Sequence, residues 1–338
     1  MDAHAPLVDA HCRRIDYLRL SVTDRCDLRC TYCMPERMTF LPRRDLLDLD
    51  ELHRLALGFV ARGVRRIRLT GGEPLVRRDV LDLVRALGRK LGPGNGGGLE
   101  ELTLTTNGLQ LAAHADALAA AGVRRINVSL DTLDREAFAG LSRRDRLSDV
   151  LEGIAAAKAA GLAVKINTVA LRGLNEEEIP ALVEWAHGQG HAITLIELMP
   201  LGDVEEDRFG RYLPLCDVQA RLEKRWTLTA SRHRTGGPAR YFDVAETGGR
   251  LGFITPLSAN FCEGCNRLRV TASGQLYPCL GGSERVDLRA ALRSGNGEAA
   301  FDRALDFAMR IKPARHSFAF DAPGAAPAQA RHMSVTGG

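Results

Sequence analysis

Three cysteines within eight residues, Cys26, Cys30 and Cys33, constrain this chain more than any other feature. They form a C-x3-C-x2-C loop directly after an apolar, strand-like stretch at 17–22. Thiolates so closely spaced can wrap three corners of an iron–sulfur cube. Ordinary electron-transfer clusters take four cysteines and leave no iron with an open position, so the missing fourth ligand is informative. A zinc site completed by a distant His or Cys is the plain alternative, but C-x3-C-x2-C is not a usual zinc spacing. An open iron can chelate the amino and carboxylate groups of the methionine half of S-adenosylmethionine (SAM). That places the sulfonium for one-electron reduction.

The rest of the chain alternates β-type runs with helical patterns. Strands are expected at 17–22, 66–70, 101–105, 125–130, 163–169 and 192–198, with helices at 46–61, 80–91, 111–121, 149–160 and 176–187. This alternation indicates a parallel sheet covered by helices, an α/β class. Six βα units are too few for an eight-stranded barrel, which points to a partial (βα)6 TIM-type barrel closed by a smaller C-terminal module. Beyond about residue 230 the pattern breaks into short strands at 240–244, 250–255 and 267–271, then helices at 288–293 and 301–311. The expected division is a barrel at 13–230, a cluster- and substrate-binding domain at 231–320 and a tail at 321–338. The glycine-rich 92–98 stretch reads as a loop without chemistry.

In parallel barrels chemistry collects at the C-terminal ends of strands. Here those ends carry Gly71-Gly72-Glu73-Pro74, Thr105-Thr106-Asn107-Gly108, Ser129-Leu130-Asp131, Lys165 with Asn167, and Glu197-Leu198-Met199-Pro200. Taken singly, each is more readily a turn or a cap. Taken together, in phase with the strands, they favour a site in which the paired glycines or Glu73 meet the SAM ammonium. With the cysteine loop, these segments resemble the radical SAM superfamily, whose GGEP motif matches 71–74.

A second triplet follows: Cys262-x2-Cys265-x13-Cys279. A zinc completed by a histidine or by Cys216 competes here with a second cluster whose open iron binds a substrate nitrogen or oxygen. Arg267 and Arg269 alternate along the predicted strand and share a face. With Arg19, Arg66, Arg68 and Lys165 they make a cationic pocket suited to a triphosphate, which guanidinium forks clamp well.

The two triplets together, with C-x2-C-N-R-L-R, Lys312-Pro313-Ala314-Arg315-His316 and the final Gly337-Gly338, resemble the GTP 3′,8-cyclase family of molybdenum cofactor biosynthesis from about residue 13 to 338. The resemblance implies two [4Fe-4S] clusters, SAM at the first and GTP at the second. It implies SAM contacts from Tyr32, Gly72, Ser129 and Met199. It implies GTP contacts from Arg19, Arg68, Thr105, Lys165, Arg267, Leu268 (through its backbone) and Arg269. Arg267, Arg269, Gly337 and Gly338 are the implied catalytic participants. The implied reaction abstracts the ribose 3′ hydrogen with a 5′-deoxyadenosyl radical and joins C3′ to C8 of guanine. An external one-electron reductant, a downstream cyclic pyranopterin monophosphate synthase and a homodimer belong to the same expectation. Asp27 stands where Asn is usual in the family and Arg66 where Lys is frequent. Cys12 and Cys216 fit no ligand position and read as free thiols.

Charge and hydropathy narrow the rival classes. Basic and acidic side chains nearly balance, 46 against 42, which disfavours a nucleic-acid coat and leaves room for a small polyanion. No run approaches the roughly 20 apolar residues of a membrane span, and the first residues hold no apolar signal segment, so a cytoplasmic protein is expected. A peptide-modifying radical SAM enzyme is the second enzymatic reading, but such enzymes have more C-terminal cysteines and no need of the arginine pair. A zinc-dependent nucleic-acid binder is the non-enzymatic one, and it lacks a basic, aromatic-interleaved stripe.

Overall fold

The computed structural model describes residues 5–92, 98–205, 207–318 and 327–337. Six strands run parallel in chain order: β1 (Tyr17–Ser21), β2 (Arg66–Thr70), β3 (Glu101–Thr106), β4 (Arg125–Ser129), β5 (Ala163–Ala170) and β6 (Ala192–Glu197). Their crossovers carry α1 (Leu49–Ala61), α2 (Val80–Gly88), α3 (Leu111–Ala120), the pair α4 (Arg135–Ser142) and α5 (Leu147–Ala159), and α6 (Ile179–Gly188). This is the expected partial (βα)6 barrel. Within β1, Leu18 and Leu20 enter the hydrophobic core, whereas Arg19 between them lines the central cavity, so strand alternation separates packing from chemistry.

Sequence periodicity starts α1 at residue 46, but the helix begins at Leu49. Asp48 accepts a hydrogen bond from the Glu51 amide at 2.7 Å and Glu51 accepts one from the Asp48 amide at 3.0 Å, a reciprocal cap that fixes the start. Helix α4, absent from the sequence reading, is short and capped by Asp134, whose side chain accepts from the Ala137 amide. Two further helices, α7 (Arg208–Arg211) and α8 (Leu215–Leu222), follow β6 and were also not expected.

The remaining strands extend both edges of the same sheet. β7 (Leu228–Ala230), β8 (Arg240–Val244) and β9 (Arg250–Ile254) add beyond β6, with β9 parallel to it. β10 (Arg267–Val270) lies parallel to β1, followed outward by β11 (Gln275–Tyr277) and β12 (Val286–Asp287). The strand order is β12-β11-β10-β1-β2-β3-β4-β5-β6-β9-β8-β7.

Helices α9 (Leu288–Arg293) and α10 (Gly297–Ile311) return to the first helix. Phe301 meets Phe59 edge to face at 5.7 Å between centroids, and Arg62 pairs with Asp302 at 3.0 Å and Asp306 at 2.6 Å. The last helix, α11 (Met333–Thr336), belongs to the tail. Among the described residues no helix is long and apolar enough to cross a membrane.

Candidate active site

One cavity at the sheet's centre is lined by all six cysteines of the two triplets. Tyr32, Gly72, Ser129 and Met199 line it too, as do Arg19, Arg68, Thr105, Lys165, Arg267 and Arg269. Leu268 does not: its side chain is fully buried in the core opposite its two arginine neighbours, leaving only its backbone to any ligand. Gly338 lies outside the described residues, as does most of the 92–98 loop. Cys12 and Cys216 are exposed free thiols.

Strand register builds the cationic wall. Arg19 on β1 stands opposite Arg68 on β2 and opposite Arg269 on β10, so three guanidiniums form a row across three adjacent strands. Thr105, Asn127 and Lys165 form a second row across β3, β4 and β5. Burial and the neighbouring Arg269 and Arg68 push the Arg19 pKa well down. Burial, then Arg68, Arg125 and Arg19, push Lys165 well below the ordinary lysine value. Burial and like-charged neighbours outweigh what counter-charge they have, and a polyanion relieves both costs. Among the described residues the Nε atoms of Arg19 and Arg68, the hydroxyls of Thr70 and Thr105 and Oδ1 of Asn167 are buried without a hydrogen-bond partner, a wall of unmet polar atoms that suits a polar ligand. Arg66, expected with this group, is held instead by Asp16 at 2.7 Å and Glu100 at 3.3 Å and does not line the cavity.

The first triplet sits in an acidic, buried setting. Burial, then Glu73, raises the Cys26 pKa; burial, then Cys33 and Asp131, raises Cys30 well above the ordinary thiol value; burial raises Cys33 to about 11. Without a metal these groups stay thiols, and a cation in their midst reverses the balance. Gly72 brings the β2 loop so close that a Cβ there would collide with the Arg25 carbonyl. Tyr32 donates to Asp131 at 2.7 Å, and burial raises Asp131 to about 6 despite that bond. Glu73 takes a role other than the expected one. Its carboxylate is fully buried and accepts from Leu75 N at 3.0 Å, Thr106 Oγ1 at 2.8 Å and Asn107 N at 2.6 Å, which staples the ends of β2 and β3 together.

The second triplet is cationic by contrast. Burial opposes ionisation of Cys265, but Arg267 and Lys312 outweigh it and bring the thiol down to about 6. At Cys262 burial is likewise outweighed by a hydrogen bond with His316. Cys279 is raised by burial. Among the described residues no group of three His, Cys, Asp or Glu side chains is already drawn together around a single point.

The tail returns to this cavity. Gln329 pairs with Leu201 as an isolated bridge, and Met333 and Ser334 line the cavity wall. Arg269 donates from Nη1 to the carbonyls of Thr336, at 3.3 Å, and Gly337. Sequence reasoning missed Asp131 as the partner of Tyr32, Tyr241 beside Lys165 at 3.3 Å, and Met333 and Ser334. Asp131 was visible as a polar strand end; the others had no signal, because distant segments supply them.

Residues 20–186 match the Radical SAM superfamily and residues 191–318 match Molybdenum Cofactor Synthesis C. A GTP 3′,8-cyclase of Erythrobacter litoralis is 69% identical, covering 99% of this chain and 100% of that relative. Another, from Rhizobium etli, is 58% identical over 98% of this chain and 94% of its own length. Among solved structures, Streptococcus suis SuiB bound to S-adenosylmethionine aligns with a TM-score of 0.58 at 18% identity, covering 89% of this chain and 69% of SuiB, a likeness of fold alone. Identity this high over nearly the whole of both chains, on a barrel that puts two cysteine triplets and a row of arginines on one cavity, means that this chain belongs to the GTP 3′,8-cyclase family of the radical SAM superfamily.

Proposed function

We propose that this chain cyclises GTP to (8S)-3′,8-cyclo-7,8-dihydroguanosine 5′-triphosphate, the first step of molybdenum cofactor biosynthesis. The observation that carries the reading is the row Arg269–Arg19–Arg68, three guanidiniums in direct register on the same cavity as both cysteine triplets. Membership of the family brings SAM and iron–sulfur chemistry. Two [4Fe-4S] clusters, one on Cys26, Cys30 and Cys33 and one on Cys262, Cys265 and Cys279, fit the donor sets: three thiols each, none in a disulfide.

When bound, the first cluster with SAM supplies one-electron reduction and a hydrogen-abstracting 5′-deoxyadenosyl radical. The chain's own residues do the positioning. Gly72 keeps the glycine loop against the cysteine loop, while Tyr32, fixed by Asp131, Ser129 and Met199 are the SAM-side surfaces. Arg19, Arg68, Lys165, Arg267 and Arg269 take the triphosphate, with Thr105 and the Leu268 backbone as polar contacts. Held rigidly on strands, these groups contribute orientation and exclusion of water. Gly337 takes part from the tail, where Arg269 holds its carbonyl, and Gly338 is assigned with it from the family resemblance alone.

In this reading residues 13–230 form the radical-generating barrel, 231–320 the substrate-side unit and 321–338 the tail. The protein works in the cytoplasm as a homodimer, drawing electrons from an external reductant and passing its product to a cyclic pyranopterin monophosphate synthase.

The test is turnover by anaerobically reconstituted protein supplied with GTP, SAM and reductant. Cyclised nucleotide and 5′-deoxyadenosine should form together. Cys26→Ala should abolish both, and Arg267→Ala should weaken GTP capture while leaving SAM cleavage. Turnover of a peptide but not of GTP sinks the assignment.

A further inference from the structure

Lys312 ends helix α10 and is 2% exposed. Its Nζ donates to the Pro278 carbonyl at 2.6 Å, to the Arg267 carbonyl at 3.0 Å and to Cys265 Sγ at 3.6 Å. An ammonium has three N–H donors, so all three are spent inside the protein and none remains for a substrate. Two acceptors are backbone carbonyls and the third is a thiol. A buried cation without an anion is costly, and of these three acceptors only Cys265 can carry negative charge.

The neighbouring chain is fastened to the same knot. Arg13 donates from Nη1 to the carbonyls of Cys262 at 2.8 Å and Ala314 at 2.9 Å, and from Nη2 to the Pro313 carbonyl at 2.6 Å, with its Nε on Asp9. Segment 312–314 thus ties Cys262, Cys265 and the residue before Cys279 into one unit. Arg267 adds a second cationic donor 3.8 Å from Cys265 Sγ. At the first triplet the donor facing Cys26 Sγ, at 3.7 Å, is instead the neutral amide of Asn107, shared with the Asp27 carboxylate at 2.6 Å. Hydrogen bonds and positive charge at cluster sulfurs favour the reduced state, so the two triplets are built to different potentials.

We propose that Lys312 is a positioning residue for a cluster on Cys262, Cys265 and Cys279, bracing Cys265 against the Cys279 loop and making that cluster easier to reduce. The proposal rests on the reading of the second triplet as an iron–sulfur site. Anaerobically reconstituted full-length protein is titrated by electron paramagnetic resonance, and each signal is assigned by its loss in Cys30→Ala or Cys265→Ala.

Lys312→Met should lower the one-electron reduction equilibrium of the second signal about tenfold, close to 59 mV, and leave the first unmoved. Lys312→Arg, which keeps the charge, should restore most of it. If Lys312→Met fails to assemble the second cluster, Lys312→Gln, which keeps N–H donors without charge, takes its place with the same expected loss. Unchanged potential in the uncharged variants, or equal shifts in the charged and uncharged ones, overturns the role of Lys312. Iron and sulfide for one cluster only in the unmodified protein instead overturns the underlying reading of the second triplet.

Discussion

Arg19 and Arg269 stand in direct register on neighbouring parallel strands, β1 and β10, although one lies near the start of the chain and the other in its last quarter. With Arg68 on the other side of Arg19, the pair forms a row of cations with no carboxylate in it. Like charges on adjacent strands destabilise a sheet, so the arrangement makes physical sense as preparation for an anion.

Arg19→Gln should therefore act with opposite signs on binding and stability. A charge-assisted hydrogen bond contributes about 1.5–3 kcal/mol, so KM for GTP should rise roughly tenfold or more. In the absence of GTP the thermal midpoint should stay level or rise, because burial and Arg269 disfavour the charge that is removed. Steady-state kinetics and a melting curve check both; a fall in stability with KM unchanged contradicts the anion-site reading.

Gly72→Ala should cost iron before it costs fold. The added Cβ collides with the Arg25 carbonyl, next to Cys26, and backbone cannot swing aside as a side chain can. Iron bound by the first triplet should fall severalfold on reconstitution, with the far-ultraviolet circular dichroism unchanged.

Gly337 has φ of +75°, and a Cβ there would run into the Thr70 side chain. Left-handed backbone costs a non-glycine residue about 1–2 kcal/mol before any collision is counted. Gly337→Ala should detach the tail from Arg269, seen as faster amide exchange over 329–337, and lower GTP turnover at least tenfold. Tail exchange at the unmodified rate counts against the contact.

Glu51 ties α1 to α9 through Arg293, at 2.6 Å and 3.0 Å. The Arg293 hydrogen bond leads the causes that hold the Glu51 pKa below its ordinary 4.5. A carboxyl depressed in the folded state stabilises it above the unfolded pKa, and that contribution is lost as pH falls through the folded one. Arg293 is half exposed, so solvent screening keeps the contribution of the pair small. Glu51→Gln, which keeps the helix cap, should lower the thermal midpoint by a few degrees at pH 7. The gap should close below about pH 4.5; a gap that widens in acid refutes the pairing.

Much of the site was legible because its ligand types are local. The spacing of Cys26, Cys30 and Cys33 needs no tertiary information, and the strand-end polar residues fall in phase with a period that six βα units repeat. Glu73 and Arg66 show the limit. Both sit in motif positions beside the cavity, yet Glu73 is consumed by Thr106 and Asn107 and Arg66 by Asp16 and Glu100. Whether a charged side chain faces a ligand or a neighbour depends on partners that lie far away in sequence.

The sequence by itself determined the βα alternation, the two cysteine triplets and the face shared by Arg267 and Arg269, since periodicity and spacing are properties of a single segment. Only the tertiary structure decided that β9 and β10 extend opposite edges of one sheet and that Arg269 lands beside Arg19. It also decided that the tail docks on Arg269 and that Lys312 closes on the second triplet. Strand pairing and burial select among many possible long-range contacts by the energy of the whole packed arrangement, which no local pattern encodes.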